Sequence, residues 1–224
     1  MRAWQNDVGA RLADAVKNAR VPRVVFLSNV NAEYQEGTGI ILGLHDMEKR
    51  LNGLGIPELV HLRPTAFMEN HLNAIESIAR FGVYGGAFKP DAALPMIATA
   101  DVGEMAAELL AEDPFRQPRA RALLGPRDYT MAETARVLGT AIGIPELKYV
   151  QFPYEDVLKA MLGTGMSESY VDGVIELVRS FNEGRLRAME EPRSAQNTTS
   201  TTLQEFADEV FGKAYETTTA VGVH

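Results

Sequence analysis

Residues 23–32 read RVVFLSNVNA. After Arg23 the run Val24, Val25, Phe26, Leu27 is unbroken and apolar, and polarity begins abruptly at Ser28 and Asn29. A strand covered on both faces of a parallel sheet has this pattern, because both sets of alternating side chains meet helices. Polar residues at its carboxyl end fall where open α/β sheets keep their ligand crevice. Such a strand needs neighbours on either side, yet only 22 residues precede it.

Working outward, the spacing predicts a helix over 7–20. Asn6 caps it, and Val8, Leu12, Ala15, Val16 and Ala19 form its buried stripe. After the loop NAEYQEGTG, a helix over 40–53 carries Leu44, Met47, Leu51 and Leu54 toward the core, with His45, Glu48 and Asn52 along a flank. ELVHLRP (58–64) reads as a second buried strand. The order α-β-α-β implies parallel strands joined by right-handed crossovers. FMENHLNAIESIARFG (67–82) reads as a helix that breaks at Gly82, and the Gly- and Pro-rich stretch after it as a loop or short irregular hairpin. Asp101-x-x-Glu104, Thr130-x-x-Glu133 and Thr202-x-x-Glu205 each look like a capping box opening a helix. Strands are expected at 121–126 and 147–153, helices at 154–162 and 167–182, a surface crossing over 183–200 and a frayed carboxyl end.

The composition narrows the functional classes. Apolar residues make up 46% of the 224, enough for a sizeable core. A net charge of −8 with no clustered Lys and Arg argues against a nucleic-acid backbone or an anionic membrane as partner. There are no cysteines, which removes disulfides and thiolate chemistry. No apolar stretch approaches a membrane span and the first residues lack a signal-peptide core, so a cytoplasmic protein is expected. No third ligand accompanies His45 and Glu48, or His71, at metal-binding spacing, and no metal is expected.

Six stretches in order, VVFLSNVNA, LHDMEKRL, HLRPTAFMEN, ATADVGEMAAELL, LLGPRDYTMAETARVLG and KYVQFP, together resemble the NmrA-like group of atypical short-chain dehydrogenases/reductases. The resemblance runs from the first helix to about Arg185. It implies an NAD(P)-binding Rossmann-like parallel sheet with a mostly helical substrate-side region. The whole chain would then be one such domain, residues 1–88 forming the second half of the sheet and 89–224 the substrate side. VVFLSN then corresponds to the fifth strand and LVHLRP to the sixth. Family members start with a strand and a G-x-x-G-x-x-G turn that receives the cofactor pyrophosphate. This sequence contains no such turn, and GTGIILG (37–43) has the wrong spacing and follows a loop. A βαβ unit takes roughly 30 residues, so strands one to four would need about 75–90 more. The resemblance thus implies an N-terminally truncated domain, through a natural truncation or a misplaced start, or a short protein that has lost its cofactor.

The same resemblance implies where chemistry would lie. Ser28 matches the serine that orients substrate at the end of strand five. The Tyr-x-x-x-Lys expected on the next helix is replaced by Ile40 and Leu44. His45 is the nearest group able to donate a proton around neutral pH; its plainer role is a flank histidine bonded to Glu48. Ser28, Asn29, Val30, Arg63, Pro64 and Thr65 would line the nicotinamide end of NAD or NADP, whose identity is not readable. Tyr34, Phe67 and Asn70 would face a substrate. Three functions stay open: an NAD(P)-dependent oxidoreductase of a small organic substrate, a non-catalytic redox sensor acting through a regulatory protein partner, or a remnant with weak or lost cofactor binding. The oligomeric state is not readable.

Overall fold

The computed structural model describes residues 1–186 and 192–221. Helix α1 (Arg2–Asn18) leads to strand β1 (Arg23–Leu27), a 3-10 turn at Gly39–Ile41, helix α2 (Leu42–Asn52) and strand β2 (Glu58–Pro64). Next come β3 (Ala66–Phe67), a 3-10 stretch Met68–Ala74, α3 (Ile75–Phe81), β4 (Tyr84–Gly86), β5 (Ala93–Ile97) and α4 (Thr99–Ala111). The chain continues through β6 (Ala120–Leu123), β7 (Asp128–Thr130), α5 (Met131–Ala141) and β8 (Tyr149–Gln151). It ends in α6 (Tyr154–Gly163), α7 (Glu168–Asn182), α8 (Leu203–Phe206), a π-helical turn Ala207–Phe211, and α9 (Gly212–Val221).

The sheet that carries the site has the order β1-β2-β6 and is parallel throughout. Alternation along β2 explains its two coats. Leu59 packs with Ala13, Met47 and Leu51 of α1 and α2 on one face, while Val60 and Leu62 pack with Val102 and Leu109 of α4 on the other. The double-sided burial expected of VVFLS therefore belongs to β2. β1 is only half-buried, Leu27 is 51% exposed, and among the described residues only β2 pairs with it. Beyond this sheet the chain builds β3-β5-β7 and the parallel pair β4-β8. Under these lies the largest core cluster, with Phe206, Phe211, Leu138 and Met68 fully buried.

Two of the three expected capping boxes form. Thr130 Oγ1 accepts from the Glu133 amide at 3.1 Å while Glu133 accepts from the Thr130 amide at 2.8 Å, and Thr202 with Glu205 repeats the arrangement. Asp101 does not cap: α4 starts two residues earlier, and Asp101 instead accepts from Thr201 Oγ1 at 2.6 Å, pinning the carboxyl-terminal segment. Asn6 does not cap either, since α1 begins at Arg2 and Asn6 donates to Asp46 at 2.8 Å. Val8 and Leu12 point to solvent, and Gly9 and Ala13 face the core, because close packing of α1 on α2 admits only small side chains there. The helix expected over 67–82 divides into β3, the 3-10 stretch and α3. The loop after Gly82 contains β4 and β5, which pair with β8 and with β3 and β7 and not with each other. The crossing over 183–200 is partly internal, with Leu186 and Asn197 buried; residues 187–191 of that segment lie outside the described residues. The expected fraying gives way to helix as far as Val221, and 222–224 lie outside the described residues.

Candidate functional site

The carboxyl ends of β1 and β2 carry a closed polar cluster. Ser28 is buried and its hydroxyl donates to Glu48 Oε1 of α2 at 2.5 Å. Arg63, at the end of β2, grips the same carboxylate through two bonds, Nε to Oε1 at 2.9 Å and Nη2 to Oε2 at 2.6 Å. Its Nη1 reaches Glu33 in the loop after β1 at 2.7 Å. Burial alone would raise the Glu48 carboxyl, but the bonds from Arg63 and Ser28 outweigh it and hold the group below the usual carboxylate range. His45 does not bond Glu48 as expected; its Nδ1 lies 2.8 Å from the Ala32 carbonyl and so donates to it, leaving Glu48 to Ser28 and Arg63.

Backbone groups tie the same region together. The Ser28 amide donates to Leu62 O, Val30 to Pro64 O and Thr65 to Leu123 O, so the strand ladder continues past β1 and β2 into the loops. The Thr65 hydroxyl and the Asn31 side-chain amide are buried without a hydrogen-bond partner. Ser28, Asn29, Val30 and Arg63–Thr65 therefore gather at one end of the sheet. Tyr34 lies on the same loop, its amide donating to Asn31 O.

Phe67 and Asn70 belong to a second place, a cleft of about 290 Å³. Its walls are β3, the 3-10 stretch, β4 and β8, and its lining includes Phe67, His71, Tyr84, Phe88, Met96 and Tyr149. Among the described residues no Lys, Arg, Asp or Glu lines it. Tyr84 Oη is 2.9 Å from His71 Nδ1, and His71 Nε2 is 3.3 Å from Met96 Sδ. A thioether only accepts, so Nε2 carries the ring proton and Nδ1 accepts from the tyrosine. Burial lowers the His71 pKa to about 4, leaving the ring neutral at pH 7. Burial raises both tyrosine hydroxyls, and a Phe88 backbone group beside the Tyr149 hydroxyl opposes part of that rise. Gly86 permits its approach, since a Cβ there would stand 3.0 Å from the Tyr149 hydroxyl.

The glycines of 37–43 are engaged elsewhere. Gly39 has φ +53°, and a Cβ on it would lie 1.9 Å from the Gly173 carbonyl, so this stretch packs closely on α7. Among the described residues no group of three or more His, Cys, Asp and Glu gathers for a metal, and no helix is long and apolar enough to cross a membrane.

Sequence reasoning placed Glu48 on a helix flank and missed Glu33, although a carboxylate one turn after His45 and facing the Arg63 strand was the available signal. His71 was weighed only as a metal ligand. Tyr84 falls in a Gly- and Pro-rich stretch whose composition predicts a loop, and no sequence signal brings β4 beside β8 and Tyr149.

A parallel sheet with helices on both faces, its carboxyl-terminal edge lined by Ser28, Arg63 and Thr65, defines a Rossmann-like α/β protein. Residues 3–207 match the profile of the NmrA-like family, and the chain belongs to that family. It is 27% identical over 175 residues to an NAD(P)H azoreductase from Xenophilus azovorans, a match that covers 77% of this chain and 59% of that protein. The chain thus spans less than two thirds of the curated relative's length. Among solved structures, it is similar to an NADPH-dependent quinone oxidoreductase from Escherichia coli complexed with NADPH, with TM-score 0.72 and 22% identity, covering 91% of this chain and 70% of that one. It is also similar to NmrA, a negative transcriptional regulator in complex with NADP, with TM-score 0.70 and 17% identity over 97% of this chain and 72% of that one.

Proposed function

We propose that this chain contributes the nicotinamide-facing and substrate-facing parts of an NAD(P)-linked reductase site for a small organic molecule. The observation that carries the reading is the segment Arg63–Phe67: its first residues are locked into the polar cluster, its last residue lines the cleft, and the buried, unpartnered Thr65 hydroxyl stands between. NAD or NADP bound there would supply a hydride. Thr65 and the Pro64 turn would face the carboxamide, with Ser28, Asn29 and Val30 opposite them. Arg63 is committed to Glu48 and Glu33, so its part is to hold the turn rigid. Tyr34 at the loop, with Phe67 and Asn70 at the cleft, would bound the substrate.

No side chain of the cleft is poised to deliver a proton near neutral pH. His71 is neutral with both ring nitrogens engaged, and Tyr84 donates to it. Ser28 is engaged by Glu48, which leaves His45 as the acid of the sequence reading, with Nδ1 tied to Ala32. The chain has no glycine-rich phosphate turn, so dinucleotide binding is weak and concentrated at the nicotinamide end.

That shortage of acids is also what favours a second reading, a redox sensor that binds NAD(P) without turnover and acts through a protein partner. Melting curves with NADPH, nicotinamide mononucleotide and AMP test the cofactor part. A ligand present at its dissociation constant stabilises by about 0.4 kcal/mol, or roughly 1–2 °C for a chain of this size. Millimolar NADPH and nicotinamide mononucleotide should each produce a saturable shift of that order, and AMP none. An AMP shift as large as that of NADPH would put the wrong end of the cofactor on this chain. NADPH consumption with an added acceptor then separates reductase from sensor.

A further inference from the structure

We propose that the cleft beside β3 and β4 is a binding site for an uncharged two-ring aromatic molecule carrying one polar substituent, held between aromatic walls and met at the rim by Asn70. The inference rests on the cleft being the substrate end of the site, and it names the class of molecule that end takes.

Three observations select the ligand. The volume of about 290 Å³ suits two fused rings. Five ring systems line the walls, from Phe67, His71, Tyr84, Phe88 and Tyr149, and Tyr84 already stands edge-on to both His71 and Tyr149, with centroids at 5.9 Å and 5.4 Å. Edge-to-face packing of this kind extends naturally to an inserted ring. The electrostatics exclude ions. Among the described residues no charged side chain lines the cleft, and both nitrogens of His71 are used by Tyr84 and Met96. A carboxylate or ammonium would lose its hydration here and gain no counter-charge. At exposed lining positions, Asn70 and neighbouring Asn73 carry amides that can donate to or accept from one substituent. The polar cluster on the other side of Arg63–Phe67 offers nothing comparable, since its carboxylates and guanidinium are spent on one another.

The test is direct binding of 2-naphthol and 2-naphthoate to the full chain at pH 7, by titration calorimetry and without any nucleotide. The two probes share a ring system and differ in charge. 2-Naphthol should bind, and 2-naphthoate at least about 30-fold more weakly, the loss expected for a carboxylate left unpaired. Ala66→Trp, at an exposed lining position, should weaken 2-naphthol at least about tenfold by occupying the cleft. Asn70→Ala should weaken it about fivefold, the worth of one hydrogen bond. Melting midpoints near wild type certify both variants as folded. Equal affinity for the two probes, undiminished binding by Ala66→Trp, or no 2-naphthol binding up to millimolar concentration would each overturn the proposal. Because no nucleotide is present, these failures leave the cofactor reading standing, and an absent NADPH shift leaves a positive naphthol result standing.

Discussion

The polar cluster and the cleft are joined by the five residues Arg63–Phe67, and they treat charge in opposite ways. In the cluster, the buried Glu48 carboxylate takes three bonds from Ser28 and Arg63. In the cleft, no charged side chain is present among the described residues, a histidine is kept neutral and burial holds two tyrosine hydroxyls protonated. The carboxylate–guanidinium network is spent on fixing geometry and leaves any ligand contact there to its neighbours, such as the Thr65 hydroxyl; an apolar pocket without charge is open to a ligand. The first region reads as framework and the second as receptor.

Breaking the framework should have the largest effect. Arg63→Met leaves the Glu48 carboxylate buried and unpaired, and urea denaturation at pH 7 should show a loss of about 3 kcal/mol. A loss under about 1 kcal/mol would mean that the cluster is ornamental. Acid should act on the same group: with its folded pKa depressed, Glu48 contributes stability that is full above the ordinary carboxylate value and drains away as pH falls through the lowered one.

The cleft should announce itself in a different pH window. His71 binds its proton near 6.5 when unfolded but only at about 4 when folded. Stability is therefore whole above the first value and is lost as pH falls toward the second, on the order of 3 kcal/mol across the interval. NMR titration of the four histidine rings assigns the effect: His71 should stay neutral at pH 5, with its proton on Nε2. A His71 ring that titrates near 6.5 would erase the contrast between the two regions.

The smallest effect is expected at Tyr149. Its buried hydroxyl has the Phe88 backbone beside it but no well-formed hydrogen bond, so Tyr149→Phe should change stability by no more than about 1 kcal/mol, in either direction. A larger loss, read by thermal melting, would reveal a hydrogen bond that the cleft depends on.

Much of the framework was legible in the sequence. VVFLS, ELVHLRP and the Thr130 and Thr202 capping boxes are local signals, written in runs and spacings that a parallel sheet and helix starts require. The boundary of burial was not legible: whether β1 or β2 is covered on both sides depends on which strands stand next to it, and no periodicity states that. Gly9 and Ala13 were overlooked because a tight helix crossing is made by small residues, which carry no hydrophobic signature. The cleft was the least visible part. Tyr84 and Tyr149 sit in three-residue strands that are too short for a pattern and become neighbours only through pairing across more than sixty positions of sequence. Of the candidate residues, Ser28 and Arg63 do meet, through a glutamate that the sequence reading left on a helix flank.

Helix α7 touches both regions. At Gly173 it lies against Gly39, at the start of the turn that leads into α2 and Glu48. At Asn182 it accepts from the Lys89 amide and donates to the Ala87 carbonyl, on either side of Phe88 in the cleft wall. Nine residues of helix separate those points, about 13.5 Å at 1.5 Å per residue. α7 is thus a ruler laid between two fixtures. Its length, set by hydrogen-bonded turns that do not stretch, dictates how far apart the polar cluster and the cleft are held.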